Sequence, residues 1–236
     1  MKTNLIYQVC PIDNNNEWLL NIKSLLPFLK KFNNELIIVI KTGLEMVSAT
    51  EVKKQFNMFK NIKFLEMEND TEFGESKSFI TALREVKSND QNECTFYAHT
   101  KGVSPKISET ELKNVKEWRT RSYLHNLNDF GYIENIMKNH YVIGCFSLHK
   151  KFPHMQNVAW HFSGSYFWFR HDIIFANENW HQQMISPYSI ECLPALISPK
   201  KKAFCIYADN YKGNLYQYTA KDWQKLDKKN LKRKKV

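Results

Sequence analysis

Short apolar runs alternate with segments of helical periodicity along the first hundred residues. Residues 4–10, 35–41 and 62–65 are rich in apolar and β-branched side chains, which predicts three strands, and the nearly continuous run at 35–41 is typical of a strand covered on both faces. Between them, apolar residues recur every three or four positions, which predicts one helix after the asparagines at 14–16 and another over about residues 50–60. This β-α-β-α-β order predicts a parallel sheet with right-handed crossovers.

The alternation continues to about residue 208. The predicted helices of this part cover residues 75–87, 111–138, 171–175 and 189–196, and the sequence NDFG after Leu127 is expected to break the second of them. The predicted strands cover residues 94–98, 141–148 and 203–208. With 236 residues and 43 % hydrophobic content, the chain suits one large domain. We therefore expect a single Rossmann-like α/β domain over residues 1–220, with a mostly parallel central sheet flanked by helices.

A polar cluster follows the predicted strand at residues 94–98. His99, Thr100 and Lys101 come directly after it, and Gly102 follows them. In open α/β sheets ligands bind at the carboxyl ends of the strands, and a cation, an imidazole and a hydroxyl suit an anionic ligand such as a phosphate. The alternative is an ordinary turn, in which Gly102 supplies a positive φ and Lys101 is only solvated.

The start of the predicted helix at residues 75–87 is a second place where an anion could bind. Gly74 and Lys77 lie there, next to backbone N–H groups that can hold a phosphate. Glu75 lies at the same end and would repel an anion, which favours simple capping of the helix by its own carboxylates.

An aromatic stretch at residues 160–169 surrounds a Ser-Gly-Ser centre at 163–165. Small residues between aromatic rings let a ligand approach the backbone while the rings stack on its apolar faces, as sugar rings require. A core strand is the alternative for residues 166–169. Farther along, Glu191 lies in an apolar helical segment, where an acid is paired, exposed or functional.

The positive charge is concentrated at the end of the sequence. The chain carries 34 Lys+Arg and 24 Asp+Glu, hence +10, and residues 221–235 contribute eight basic and two acidic side chains, hence +6. The remaining +4 on a large domain, with aromatic residues in apolar runs, argues against a nucleic-acid groove. We predict that this basic C-terminal tail (residues 221–236) docks on anionic lipid; a disordered, solubilising end is the alternative.

The cysteine pattern indicates a reducing compartment. Five widely spaced cysteines without a CxxC pair are expected to be free thiols. No apolar run reaches 18 residues, so the sequence predicts no membrane span. We expect a cytoplasmic protein, peripheral on the inner face of the membrane if the tail docks there.

Three motifs together carry a family resemblance: YAHTKGVS at residues 97–104, WRTRSYL at 118–124 and WHFSGSYFWFR at 160–170, followed by Glu191. They resemble the nucleotide-sugar-dependent glycosyltransferases of the GT-A fold, and most closely a bacterial and viral group with YLHTKG and HFSGNFWW-like motifs. The similarity covers most of residues 1–205. The motifs YAHTKGVS and WHFSGSYFWFR are fairly specific as a pair.

The resemblance implies a GT-A domain and a hexosyltransferase of the inverting type. Such an enzyme moves a sugar from a nucleoside diphosphate sugar to a glycan or a lipid-linked acceptor, here in surface polysaccharide synthesis. A non-catalytic sugar- or nucleotide-binding protein of the same fold is the first alternative. A nucleic-acid-binding protein is the second.

The resemblance also implies roles for individual residues. The donor and nucleotide site would contain Val9, Pro11, Thr42, Gly74, Lys77, His99, Thr100 and Lys101. The sugar and acceptor cleft would contain Trp160, His161, Ser163 and Gly164. Glu191 falls where related inverting enzymes place the carboxylate that takes the acceptor hydroxyl proton, a step that a poorly nucleophilic sugar hydroxyl needs.

The strand-end triplet departs from the family pattern. His99, Thr100 and Lys101 fall where many GT-A enzymes have Asp-x-Asp, the acidic pair that holds Mn²⁺ or Mg²⁺ on the donor diphosphate. A lysine there could neutralise the diphosphate directly. We therefore assign no metal ligand, while Mn²⁺ or Mg²⁺ remains open as a cofactor.

Overall fold

The computed structural model describes residues 1–13, 16–70, 72–103, 107–150, 155, 158–183, 186 and 188–233. Its strands are β1 (Lys2–Val9), β2 (Leu36–Thr42), β3 (Ile62–Glu68), β4 (Glu93–His99), β5 (Val142–Cys145), β6 (Ser147–Leu148), β7 (His161–Phe162), β8 (Phe167–Arg170) and β9 (Ala203–Tyr207). Its α-helices are α1 (Glu17–Leu25), α2 (Ala49–Lys54), α3 (Ser76–Glu85), α4 (Glu109–Leu127), α5 (Phe130–Met137), α6 (His171–Ile174), α7 (Ser189–Ile197) and α8 (Ala220–Arg233). Short 3-10 turns cover Leu26–Lys31, Trp180–Gln183, Lys200–Lys202 and Leu215–Gln217.

The central sheet has seven strands in the order β3-β2-β1-β4-β8-β5-β9. Neighbouring strands are parallel except where β8 pairs with β4 and with β5, so β8 runs against the other six. β6 and β7 form a separate antiparallel pair. The predicted α/β class with a mostly parallel central sheet is therefore confirmed.

Most predicted elements form, with shifted boundaries. The long helical segment is interrupted where predicted, because Asp129 caps α5 by accepting a hydrogen bond from the Tyr132 N–H at 2.9 Å. At the start of α1, Asn16 lies at the predicted N-cap position, but its side chain makes no capping hydrogen bond. Asn14 and Asn15 lie outside the described residues, as does Ser104 of the loop after β4.

The reversed strand β8 carries the second half of the aromatic stretch. Phe167, Trp168 and Phe169 are fully buried, with Trp168 on one face of the sheet and its two neighbours on the other, so the core-strand interpretation is confirmed for them. Because β8 is antiparallel to β4, and Tyr97 pairs with Phe167, the turn at residues 163–165 lies at the carboxyl end of β4. The strand direction thereby brings two sequence motifs to one edge of the sheet.

α8 contains most of the basic C-terminal tail, and it packs on the domain. Trp223 is 4 % exposed, and its indole N–H donates to Asn114 Oδ1 at 3.1 Å. Asp227 forms an ion pair with Arg121 at 2.8 Å and accepts a hydrogen bond from the Tyr207 hydroxyl at 2.6 Å. This helix is therefore anchored by one buried ring and one charged network.

The described part of this segment packs on the domain because its two helix faces differ. Helical spacing places the apolar and hydrogen-bonding residues Trp223, Leu226, Asp227 and Asn230 on one face. The opposite, exposed face carries Lys221, Lys225, Lys228 and Lys229. The average polarity of the segment does not show this division into two faces. One buried tryptophan is enough to dock a short helix.

Two further expectations concern the cysteines and the membrane. All five cysteines are free; Cys94, Cys145 and Cys192 are buried, and Cys10 and Cys205 are partly exposed. Within the described ranges, no helix has both the length and the apolar character needed to cross a bilayer.

The docking of α8 can be tested by removing its buried ring. We expect Trp223→Ala to lower the free energy of unfolding by about 3 kcal/mol, because it leaves a cavity and removes the hydrogen-bond donor to Asn114 Oδ1. The matched control Lys225→Ala, on the exposed face of the same helix, should change it by less than about 0.5 kcal/mol. Urea unfolding of both variants measures the difference, and equal stability would contradict the docking.

Candidate functional site

A cavity of about 270 Å³ opens at the carboxyl ends of β1, β2 and β4. Its lining residues are Gln8, Cys10, Lys41, Asn69, Gly74, Glu75, His99, Thr100, Lys101, Gly102, Val103 and Tyr216. Four of the residues expected at a donor site, Gly74, His99, Thr100 and Lys101, are among them. The structure thus places the strand-end triplet and the helix start around one space.

A second cavity of about 380 Å³ adjoins the first. It is lined by Lys41, Met67, Glu68, Asn69, Asp70, Glu72, Lys77 and Ser78. Lys41 and Asn69 line both cavities, so the two share a wall. Small-ligand sites span roughly 300–1,000 Å³, and the two cavities together fall inside that range.

Helix α1 and strand β1 hold the backbone of the loop after β4. The fully buried Asn21 side chain donates to Lys101 O at 2.9 Å and accepts from Lys101 N at 3.0 Å. The Thr100 hydroxyl accepts from Cys10 N at 2.9 Å. Gly102 has φ +83°, and a Cβ there would lie 2.8 Å from a side chain of α4. Gly102 thus has the positive φ expected of an ordinary turn. In addition, hydrogen bonds from Asn21 and from Cys10 N fix the loop on two sides.

His99 connects the loop to two other segments. Its Nδ1 is hydrogen-bonded to the Glu75 carboxylate, and its Nε2 lies 3.1 Å from Gly164 O. Burial works to raise the pKa of Glu75, but His99, a hydrogen bond from the Tyr97 hydroxyl at 2.7 Å and the charge of Lys101 outweigh it, so the pKa is lowered. The two ring nitrogens of His99 therefore face a carboxylate and a backbone carbonyl, so this side chain links the start of α3 to the turn before β8.

Two lysines add to the positive charge of the cavity. The Lys101 Nζ lies 4.5 Å from the centroid of Trp118 and 5.7 Å from that of Tyr216, and no carboxylate of the described residues is within ion-pair distance of it. The Lys41 Nζ donates to Gly74 O at 3.2 Å, and burial lowers the pKa of Lys41. An anion entering the cavity would therefore meet an ammonium group that lies over two aromatic rings.

The turn before β8 places Gly164 between His99 and a carboxylate. Gly164 N donates to Glu191 Oε1 at 3.1 Å. Gly164 has φ +87°, and a Cβ there would lie 2.6 Å from Trp118 Cζ2, so only glycine fits. The Ser163 hydroxyl lies 2.8 Å from the Tyr211 hydroxyl. Three residues expected in the site, His99, Gly164 and Glu191, are thus linked by two hydrogen bonds to one peptide segment.

Other residues of the predicted donor site lie at the edge of this arrangement. Val9 is fully buried in the core, and Pro11 is buried with its carbonyl accepting from Val47 N at 2.8 Å. Thr42 ends β2 and is half-buried. Lys77 lines the second cavity and lies 3.5 Å from Asp70 Oδ2. Their contact with a nucleotide stays a prediction.

The two remaining residues of the predicted sugar cleft are buried. Trp160 is 6 % exposed and packs edge-on against Phe162, with centroids 5.4 Å apart, which leaves little of its ring for a sugar to stack on. His161 is 3 % exposed, and burial lowers its pKa although the charge of Glu191 opposes the shift. The aromatic character of this stretch serves packing more than ligand contact.

The strand-end triplet does not fit a divalent cation. Both ring nitrogens of His99 already have hydrogen-bond partners, the Thr100 hydroxyl already accepts from a backbone N–H, and Lys101 is itself a cation. Asp70, the nearby acid at the second cavity, accepts from the backbone of residues 72 and 73 and faces Lys77. Among the described residues, no three His, Cys, Asp or Glu side chains converge as metal ligands do.

Several residues of the site carry no clear sequence signal. Asn21 lies in α1 and Lys41 near the end of β2, and a polar residue at a buried position is the one hint that could have found them. Trp118 opens the WRTRSYL motif, and its helical spacing alone predicts a core position. Tyr216 lies in a loop far along the chain from β4, where no periodicity points to it.

Comparison with known proteins assigns no family. No family model matches the chain, and no curated protein matches it. Among solved structures, a 4-diphosphocytidyl-2C-methyl-D-erythritol synthase is similar with TM-score 0.43 and 9 % identity, over 98 % of this chain and 97 % of that one. Core-mannan synthase A from Aspergillus fumigatus, in its Mn/GDP form, is similar with TM-score 0.39 and 12 % identity, over 93 % and 80 %. Similarities this distant carry no conclusion about ligands.

Proposed function

We propose that the protein is an inverting hexosyltransferase that uses a nucleoside diphosphate sugar and acts on a glycan or lipid-linked acceptor in surface polysaccharide synthesis. The observation that carries the proposal is the position of Gly164. Its carbonyl oxygen is hydrogen-bonded to His99 Nε2 at the cavity after β4, and its N–H donates to the Glu191 carboxylate. One residue therefore joins a side chain of the candidate anion site to the candidate base, which supports sugar transfer from a diphosphate.

The donor diphosphate would bind in the cavity after β4. Lys101 is the main candidate to bind the phosphate oxygens of the donor. Its ammonium group lies over aromatic rings, and no carboxylate of the described residues is within ion-pair distance of it. Lys41 and His99 line the same cavity. The nucleoside would extend toward the ends of β1 and β2, where Pro11, Thr42 and the second cavity lie.

Glu191 would act as the general base. Its carboxylate accepts the proton of an acceptor hydroxyl while that oxygen bonds to C1 of the donor sugar and the bond from C1 to the phosphate oxygen breaks. The leaving nucleoside diphosphate keeps the electron pair, and Lys101 and His99 stabilise its charge. The residues at the strand end do not fit a divalent cation, so no step is assigned to one.

Lys101→Ala tests the donor site. We expect binding of UDP-glucose, UDP-N-acetylglucosamine or GDP-mannose, whichever binds the wild type best, to weaken by about 1 to 3 kcal/mol through loss of a charged hydrogen bond. Lys60→Ala, an exposed lysine on another surface, removes the same charge and should leave the affinity unchanged. Calorimetry measures both. Unchanged affinity in Lys101→Ala removes this residue from the site, and loss of all wild-type binding in EDTA makes a metal essential.

Glu191→Gln tests the base. The variant keeps the hydrogen bond from Gly164 N but cannot take a proton, so turnover should fall about 100-fold or more while donor affinity stays nearly constant. Glu178→Gln, an exposed acid outside the site, is the matched control. Product formation from radiolabelled donor gives the rate. Full activity in Glu191→Gln excludes this role, and donor binding without any turnover in the wild type favours the non-catalytic alternative.

We also propose that α8 attaches the protein to an anionic membrane surface at the cytoplasmic face. Its four exposed lysines lie on one face without an ion-pair partner among the described residues, because Asp222 caps the helix start and Asp227 binds Arg121. Each lysine close to such a surface contributes roughly 1 kcal/mol at low salt. No aromatic residue interrupts this face, which favours a flat polyanionic surface over unpaired bases.

Charge reversal tests the attachment without disturbing the docked helix. The quadruple variant Lys221→Glu, Lys225→Glu, Lys228→Glu and Lys229→Glu should no longer co-sediment with phosphatidylserine vesicles at low salt, while the wild type should. The control reverses four exposed lysines elsewhere: Lys23, Lys60, Lys87 and Lys138. Equal sedimentation of the two quadruple variants would contradict a role for α8 itself.

A further inference from the structure

Tyr216 brings an aromatic ring from the C-terminal segment to the cationic cavity. It lies in the 3-10 turn Leu215–Gln217, and its half-buried ring is the one phenol among the described residues that line the cavity. The ring meets Trp118 edge-on, with centroids 5.6 Å apart. Trp118 in turn supports the Gly164 turn, so Tyr216 stands beside the place where the proposed reaction occurs.

The distance between Tyr216 and Lys101 restricts what the ring could contact. The Lys101 Nζ lies 5.7 Å from the ring centroid. A phosphate oxygen held by an ammonium group lies about 2.8 Å from the nitrogen. The group bonded to that phosphate is then within contact distance of the ring, whereas a nucleobase is separated from the phosphate by a pentose. These distances favour a sugar ring joined to the phosphate, over a nucleobase, as the neighbour of Tyr216.

We propose that Tyr216 forms an apolar wall for the sugar ring bonded to the phosphate at Lys101, and that Asn114 is the positioning residue that holds it there. This inference rests on the proposed use of a nucleoside diphosphate sugar. The flat faces of sugar rings carry C–H groups that pack on aromatic rings, so a tyrosine beside a phosphate-binding lysine selects phosphate esters of sugars over inorganic phosphates.

Asn114 fixes the turn from α4. It is 7 % exposed, and its Nδ2 donates to Tyr216 O at 2.8 Å while its Oδ1 accepts from Trp223 Nε1 at 3.1 Å. Asn214 adds a local bond by accepting from Tyr216 N at 3.1 Å. One amide side chain therefore holds the wall of the cavity with one end and helix α8 with the other.

The test compares two classes of ligand in one set of variants. Calorimetry measures the affinity for inorganic pyrophosphate and for the nucleoside diphosphate hexose that the wild type binds best among UDP-glucose, UDP-N-acetylglucosamine and GDP-mannose. Tyr216→Ala should bind the hexose donor about tenfold more weakly and pyrophosphate within twofold of the wild type, and Tyr216→Phe should keep both affinities. UDP or GDP, which lacks the hexose but keeps the ribose, identifies the ring: an equal tenfold loss points to the ribose, and an unchanged affinity points to the hexose.

Asn114→Asp and Trp223→Phe separate positioning from general stability. Asn114→Asp keeps an acceptor for Trp223 but loses the donor to Tyr216 O, so it should repeat the selective loss of Tyr216→Ala. Trp223→Phe loses the other bond of the same amide and should keep the ratio of hexose-donor to pyrophosphate affinity. Equal losses for both ligands in Tyr216→Ala, or no loss for either, would overturn the inference alone. A wild type that binds neither ligand overturns the proposed function as well.

Discussion

His99 bridges the Glu75 carboxylate and the Gly164 carbonyl at the carboxyl end of β4. The two acceptors come from the start of α3 and from the turn before β8, so one side chain fastens three separate segments. Removing the ring would leave both acceptors without this partner. Leaving a buried acceptor without its hydrogen bond costs about 1 to 3 kcal/mol.

The same bridge decides the electrostatic character of the cavity. Without His99, the Glu75 carboxylate would repel an anion, as the sequence alone suggests. Hydrogen-bonded to His99 and to the Tyr97 hydroxyl, the carboxylate has local partners, and Lys101 remains available to an entering anion. The pair of Lys77 and Asp70 lies at the surface, with the Lys77 side chain 69 % exposed, so water screens it and it contributes little to this balance.

The sequence predicts what depends on local pattern. Short runs rich in apolar residues identify β1, β2 and β4, and the polar residues after β4 are expected at a ligand-binding edge because strand ends of parallel sheets meet there. The pattern does not reveal strand direction, and β8 shows why this matters: its reversal is what carries Gly164 to His99. Tyr216 and Asn21 act across long sequence separations, through contacts that only packing creates. The buried position of Trp223 is equally hidden, because average polarity conceals a single buried ring.

The late position of Tyr216 and α8 in the chain has a consequence for synthesis. A nascent chain that has emerged as far as β9 already holds all seven strands of the central sheet, the cationic loop and Glu191. It still lacks the phenol beside Lys101 and the tryptophan that anchors α8 to Asn114. Domains begin to fold while they are being made, at roughly 5–20 residues per second. On the ribosome the sheet can therefore form before Tyr216 emerges to complete the wall of the cavity.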